Sequence, residues 1–173
     1  TRNKVLKNFL EGIASKEETN ALLESIYPSY FNLCLRLTNE RIQALRDLKS
    51  DFNKAMQRIS NSDVEISVEY VVSGQECIKK ESEFISEILK KRFKELHDAE
   101  LASGASLVGP HKHDVVFLYG GNDSRFYCSQ GQQRALILSL KMAQIVYHKR
   151  VHGTYPILLL DDVLSELDSN KRS

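Results

Sequence analysis

The chain has 173 residues and a formal net charge of +1, with 42% hydrophobic and 27% charged residues. That balance belongs to a folded chain of one domain or two small lobes and excludes an intrinsically disordered protein. The near-zero charge excludes a polycation that coats nucleic acid by bulk charge alone, and no apolar run reaches the roughly 18 residues that a membrane-spanning helix needs.

Val5, Leu6, Phe9, Leu10 and Ile13 recur at helical spacing and predict a first helix over about 2–13. Pro28 suits the first turn of a second helix, where its missing N–H costs nothing. A heptad runs from Tyr27 to Ile59 with an apolar seam broken only at Thr38 and Arg41, so a long amphipathic helix is expected over 27–59. Val64, Ile66, Val68, Tyr70 and Val72 alternate with mostly polar residues and predict a strand over about 64–72 with one buried face. Ile78, Ile85, Ile88, Leu89, Phe93 and Leu96 predict a third helix over about 76–98. Its end carries Lys90, Lys91, Arg92 and Lys94, which complement the helix dipole and are the first candidates for a nucleic-acid contact.

Near residue 100 the pattern changes, and most glycines follow it. This divides the chain into a helical part, 1–100, and a second part, 101–173. Leu107 to His111 reads as an extended stretch with a Gly-Pro break. Asp114–Tyr119 reads as a strand, Gly120-Gly121-Asn122-Asp123 as a hairpin turn, and Ser124–Cys128 as the returning strand. A helix then runs to about Arg150. It is apolar on nearly every side and expected to be buried. Ile157-Leu158-Leu159-Leu160 has the form of a central strand covered on both faces, and it ends in Asp161-Asp162. Cys34, Cys77 and Cys128 form no CxxC pair and are expected to be reduced thiols of a cytoplasmic protein, and no secretory leader is expected. His111 and His113, with no cysteine nearby, make a poor zinc site.

Two segments carry chemistry. Paired carboxylates beyond an apolar strand suit a Walker B arrangement, one holding Mg²⁺ and the other orienting a water; the plain alternative is a capping Asp beside a solvated one. Ser129-Gln130-Gly131-Gln132-Gln133 stands at a helix start, where free N–H groups and the helix dipole favour an anion. There Ser129 suits an N-cap and Gly131 a close backbone approach; the plain alternative is an ordinary cap.

Taken in order, Leu107-Val108-Gly109-Pro110-His111, then Ser129-Gln130-Gly131-Gln132-Gln133-Arg134, then Leu158-Leu159-Leu160-Asp161-Asp162-Val163-Leu164-Ser165-Glu166-Leu167-Asp168 resemble the RecF family of bacterial recombination and repair ATPases. The resemblance implies a mixed α/β fold: an ABC-ATPase-like head lobe with a signature helix and a Walker B strand, related in architecture to the heads of chromosome-maintenance proteins, plus a helical arm. It implies ATP and Mg²⁺ as cofactors, DNA repair, recombination and replication within the SOS response, DNA gaps or junctions as partner, mediators of the RecO and RecR type, and an ATP-dependent homodimer in the cytoplasm at the nucleoid. Ser129, Gln130, Gly131 and Gln132 would meet the γ-phosphate held by the other subunit. Asp161 would hold Mg²⁺, Asp162 would orient the attacking water, and Ser165 and Asp168 would lie at the dimer seam. Lys112 and Arg134 join the four helix cations as DNA-binding candidates. The family usually reads GPHRDD where this chain has Lys112-His113-Asp114 after Gly109-Pro110-His111. No GxxxxGK[ST] occurs, so the chain is expected to be a fragment whose P-loop precedes Thr1, inactive in hydrolysis by itself. Another ABC or chromosome-maintenance head, or a non-enzymatic repair scaffold, remains open at this point.

Overall fold

In the computed structural model, residues 2–159 are described. They form a mixed α/β structure with a four-stranded sheet of order β2-β1-β3-β4. The elements are α1 (Arg2–Leu10), α2 (Lys16–Ser60), β1 (Ile66–Val72), β2 (Gln75–Glu76), α3 (Ser82–Glu95), α4 (His97–Ser103), a 3-10 turn (Pro110–Lys112), β3 (Asp114–Tyr119), β4 (Asn122–Asp123), α5 (Ser124–Tyr127) and α6 (Gln130–His152). The chain folds as two compact units, one of residues 1–42 and 70–114, the other of 43–69 and 115–173. Both α2 and β1 pass from one unit into the other.

In the first unit, Leu6 of α1, Leu23 of α2 and Leu101 of α4 are buried together. Phe93 of α3 sets its ring edge-on to Tyr27, with centroids 5.4 Å apart, and to Tyr30, 5.9 Å apart. Helix α1 is shorter than the expected 2–13. Gly12 takes a left-handed φ of 71°, and the Ile13 N–H reaches back to the Asn8 carbonyl, so Ile13 is left exposed. Helix α2 begins at Lys16, well before Pro28. Ser15 and Glu18 form a reciprocal cap, Ser15 Oγ accepting from Glu18 N at 3.2 Å and Glu18 Oε2 from Ser15 N at 2.9 Å. Pro28 therefore lies inside the helix, where burial of Leu23 and Phe31 on either side offsets the backbone bond it cannot make. Both exceptions on the heptad seam have partners. Thr38 is fully buried with its hydroxyl on the Cys34 carbonyl, and Arg41 donates to the Pro110 carbonyl at 2.7 Å. The expected 76–98 helix is divided. Cys77 N–H returns to the Tyr70 carbonyl and ends the β1–β2 hairpin, and a non-helical Leu96 separates α3 from α4.

In the second unit, Leu48, Phe52 and Met56 of α2 pack with Ile66 of β1 and with Ala135, Leu136 and Ala143 of α6. Asn53 holds the start of β1 as a strand partner would. Its Oδ1 accepts from Ile66 N at 2.7 Å, and its Nδ2 donates to Ile66 O at 2.8 Å. The returning strand expected at Ser124–Cys128 is instead the short helix α5. Asp123 pairs with Tyr119's side of the hairpin through β4 and then caps Arg125 N at 2.9 Å, which starts a helical turn after two strand residues. Helix α6 buries one side only. Leu138, Ser139 and Ala143 are inside, while Ile137, Met142 and Val146 are exposed. Residues 157–159 have no regular secondary structure, and Ile157 and Leu159 are exposed. A strand covered on both faces needs a neighbour to hydrogen-bond, and among the described residues no strand pairs with this segment. The remainder of that segment lies outside the described residues.

Candidate functional site

The segment Ser129-Gln130-Gly131-Gln132 forms the N-terminus of α6, a helix of 23 residues. Ser129 is the N-cap. Its Oγ accepts from Gln132 N at 3.3 Å, and Gln132 Oε1 accepts from Ser129 N at 2.8 Å. Gln133 adds two bonds of 3.3 Å from its amide to the Ser124 and Cys128 carbonyls, tying the cap to α5. The first-turn N–H groups of Gln130 and Gly131 have no carbonyl of their own helix to meet. Ser129, Gln130 and Gly131 are exposed, and nothing lies within 4 Å of a side chain built on Gly131. This is an open helix start with the positive end of the dipole outward, a geometry that accepts an anion. The Gln132 N–H is given to Ser129 within the cap.

The Leu107–His111 stretch is held by a buried polar network that the sequence did not reveal. Glu100, 1% exposed, takes both guanidinium nitrogens of Arg2, at 3.0 Å and 2.6 Å. The same carboxylate accepts from Leu107 N at 2.8 Å and Val108 N at 3.3 Å. Arg2 also donates to Ser106 Oγ, Tyr30 Oη donates to the Val108 carbonyl at 3.1 Å, and His111 Nε2 meets the Ser106 carbonyl at 3.0 Å. Gly109 is required in this turn. Its φ is 143°, and a Cβ there would stand 2.8 Å from Tyr30 Oη. The one available signal was Glu100 itself, a carboxylate seven residues after Phe93 on an otherwise apolar stripe.

His113 sits half-buried with Nδ1 3.0 Å from Tyr70 Oη. Burial, then the positive charge of Arg41, then His111, push its pKa down to about 4, so the imidazole is neutral near pH 7. Burial pushes the Tyr70 hydroxyl up, as it does the thiols of Cys34, Cys77 and Cys128, all of which are free.

The basic candidates are spread over both units. In the first, Lys90 lies 5.9 Å from the Phe31 ring centre, Arg92 pairs with Glu95 at 3.1 Å, Lys91 approaches the same carboxylate at 3.9 Å, and Lys94 is exposed. Arg92 and Lys112 border one cavity. In the second, Arg134 is half-buried in the first turn of α6. Asp161, Asp162, Ser165 and Asp168 lie outside the described residues. Among the described residues no group of three or more side chains is placed to hold a metal ion, and no helix is long and apolar enough to cross a membrane.

No family model matches the chain. It is 40% identical over 139 residues to the DNA replication and repair protein RecF of Streptococcus suis, covering 79% of this chain and 36% of that protein. Against RecF of Lysinibacillus sphaericus the identity is 36% over 178 residues, all of this chain and 48% of that one. The chain belongs to the RecF family. Two solved structures of the recombination mediator protein RecF in the RecFOR pathway share its fold at 34% identity. The ATPrS form has a TM-score of 0.78 over 98% of this chain, and the ATP form 0.79 over 99%. The mixed α/β class expected from the sequence is the class of these RecF structures. The chain spans less than half the length of these RecF proteins.

Proposed function

We propose that this chain is the arm and signature portion of a RecF-type, ATP-dependent DNA-binding protein of recombinational repair and replication restart. Residues 1–100 would supply the helical arm, and 101–173 the signature lobe with the Walker B strand and D-loop. The observation that carries the reading is the reciprocal cap that presents Ser129-Gln130-Gly131 at an open helix start. The names of the RecF relatives and the nucleotides of the two RecF structures agree with it.

In this reading the cap fixes the direction of the Gln130 and Gly131 N–H groups toward the γ-phosphate of ATP held by a second subunit, and the Ser129 hydroxyl hydrogen adds a donor. Gln132 serves first as the reciprocal half of the cap. Asp161 and Asp162 are adjacent hard oxygen donors, the donor set that Mg²⁺ takes. Asp161 would hold the ion and Asp162 would orient the water, with Ser165 and Asp168 at the dimer seam. The ion would supply neutralisation of phosphate charge. Lys90, Lys91, Arg92, Lys94, Lys112 and Arg134 are candidates for contact with DNA phosphates at gaps or junctions. Mediators of the RecO and RecR type are the protein partners, in the cytoplasm.

The test is made in a protein of RecF length that carries this sequence. Ser129→Arg puts a bulky cation where a backbone must approach a phosphate. ATP binding by the monomer should stay within about twofold, while ATP-dependent dimerisation in sedimentation and hydrolysis are lost. An ATP-dependent dimer that still forms at the wild-type concentration would leave Ser129 as a helix cap alone.

A further inference from the structure

We propose that the cavity walled by Arg92, Lys112 and His113, beside the Gly109-Pro110 turn, seats a phosphate group of a DNA strand. This rests on the reading of the chain as part of a DNA-binding protein, and it names where one strand phosphate lies. The cavity has a volume of about 350 Å³ and belongs wholly to the first unit. Three separate pieces of chain converge on it: Ser73 from the β1–β2 hairpin, Arg92 from the last turn of α3, and the 107–113 stretch with Gly109, Lys112 and His113.

Among the described residues, no carboxylate lines this cavity. The cavity at Lys49 and Lys54 also contains Asp63 and Glu65, and the one at Lys94 contains Glu24. A carboxylate in the wall occupies the cations and repels a phosphate. Glu95, the partner of Arg92, stands outside the wall and is exposed, so that pair is a weak surface contact that a phosphate can displace. Arginine offers phosphate a planar fork of donors, and lysine a point charge. Apolar Leu96, Leu107 and Val108 complete the wall and strengthen charge pairing by excluding water. The Arg2–Glu100 pair fixes the floor through the Leu107 and Val108 N–H groups.

Lys91, the neighbour of Arg92 on α3, is exposed, whereas Lys90 and Lys94, two residues to either side of Arg92, lie on the opposite face of the helix. A strand carrying several phosphates can meet Lys91 as well as the cavity, whereas a lone anion gains only from the cavity. The geometry therefore favours a phosphodiester of a polymer over free phosphate.

The experiment uses a protein of RecF length that carries this sequence, with ATP, and a fluorescein-labelled gapped oligonucleotide, with anisotropy read across a salt series. Arg92→Gln with Lys112→Gln should weaken binding about tenfold and make the slope of log K against log salt shallower by about 1. Lys112→Gln alone, at an exposed position on a turn, should give an intermediate loss. Lys7→Gln removes the same charge from α1, away from the cavity, and should leave affinity within about twofold. Inorganic phosphate should compete no more than chloride at equal ionic strength. Equal losses from Lys7→Gln and Lys112→Gln would reduce the effect to bulk charge and overturn the cavity. Competition by phosphate beyond chloride would make it a site for the free anion and overturn the DNA assignment. Oligonucleotide binding that is present but insensitive to the double variant refutes this inference and leaves the DNA reading standing; no binding by the unaltered protein removes both.

Discussion

Glu100→Gln separates the buried ion pair from the packing around it, because the new side chain has nearly the same shape and no charge. Arg2 is 8% exposed and Glu100 1% exposed, so the substitution leaves a guanidinium buried without its counter-charge. Breaking a buried pair in this way costs about 3–5 kcal/mol. Glu100 also accepts from two backbone N–H groups, and the amide oxygen that replaces the carboxylate can serve only part of that set of donors. With a urea dependence of about 2 kcal/mol per molar, the unfolding midpoint should fall by about 2 M. Amide exchange at Leu107 and Val108 gives the local readout, since their N–H groups lose a charged acceptor, and both should exchange at least about tenfold faster. The double variant Arg2→Met with Glu100→Leu removes both charges and should recover most of the loss. A stability loss below about 1 kcal/mol for Glu100→Gln, with unchanged exchange at Leu107, would refute the view that this pair holds the turn.

Gly109→Ala forces a side chain into a left-handed φ and against Tyr30 Oη, and should cost about 1–3 kcal/mol by denaturant titration. His113 has a folded pKa of about 4 against an unfolded value near 6.5, so the unfolded chain binds the proton that the native one refuses. Stability should therefore fall as pH drops from about 6.5 through 4, by about 1–2 kcal/mol after discounting the full shift for solvent screening, and His113→Gln should lack that component of the pH profile. Asn53→Leu strands the N–H and carbonyl of Ile66 and should cost about 2 kcal/mol, with faster amide exchange at the start of β1.

Local chemistry was the legible part of the sequence. Ser129 with Gln132 is a capping-box spacing, and α6 begins there and ends within two residues of the expected Arg150. Ser15 with Glu18 has the same spacing and marks the true start of α2, but Pro28 drew the boundary toward itself; a proline weakens a helix that tertiary burial can still carry. Asp123 read as part of a hairpin because Gly-Gly-Asn-Asp suits a turn, and it does pair with β3, but its side chain also caps α5 and ends the returning strand after two residues. The apolar run in α6 signalled a helix without fixing which face is covered, and Ile137 and Val146 show that periodicity does not reveal what packs outside a segment. Arg2 and Glu100 lie 98 residues apart, so no local pattern joins them. Likewise Arg92 and Lys112 read as two unrelated surface cations until the fold placed both on one cavity.

The ion pair and that cavity share a stretch of backbone, and this decides which substitutions are informative about binding. Glu100 orders Leu107 and Val108; Val108 and Gly109 line the cavity; Lys112 follows from the turn that Gly109 opens. A change at Glu100 or Gly109 therefore disturbs the cavity wall and the stability of the unit together, and a loss of DNA binding in either variant would have two causes. Lys112 touches only the second of these. Its side chain is exposed and makes no part of the Arg2–Glu100 network, so Lys112→Gln removes a charge from the cavity while the turn keeps its form. The two sets of variants should accordingly part in two measurements. Glu100→Gln lowers the urea midpoint and the DNA affinity together, whereas Lys112→Gln lowers the affinity and the salt slope at an unchanged midpoint.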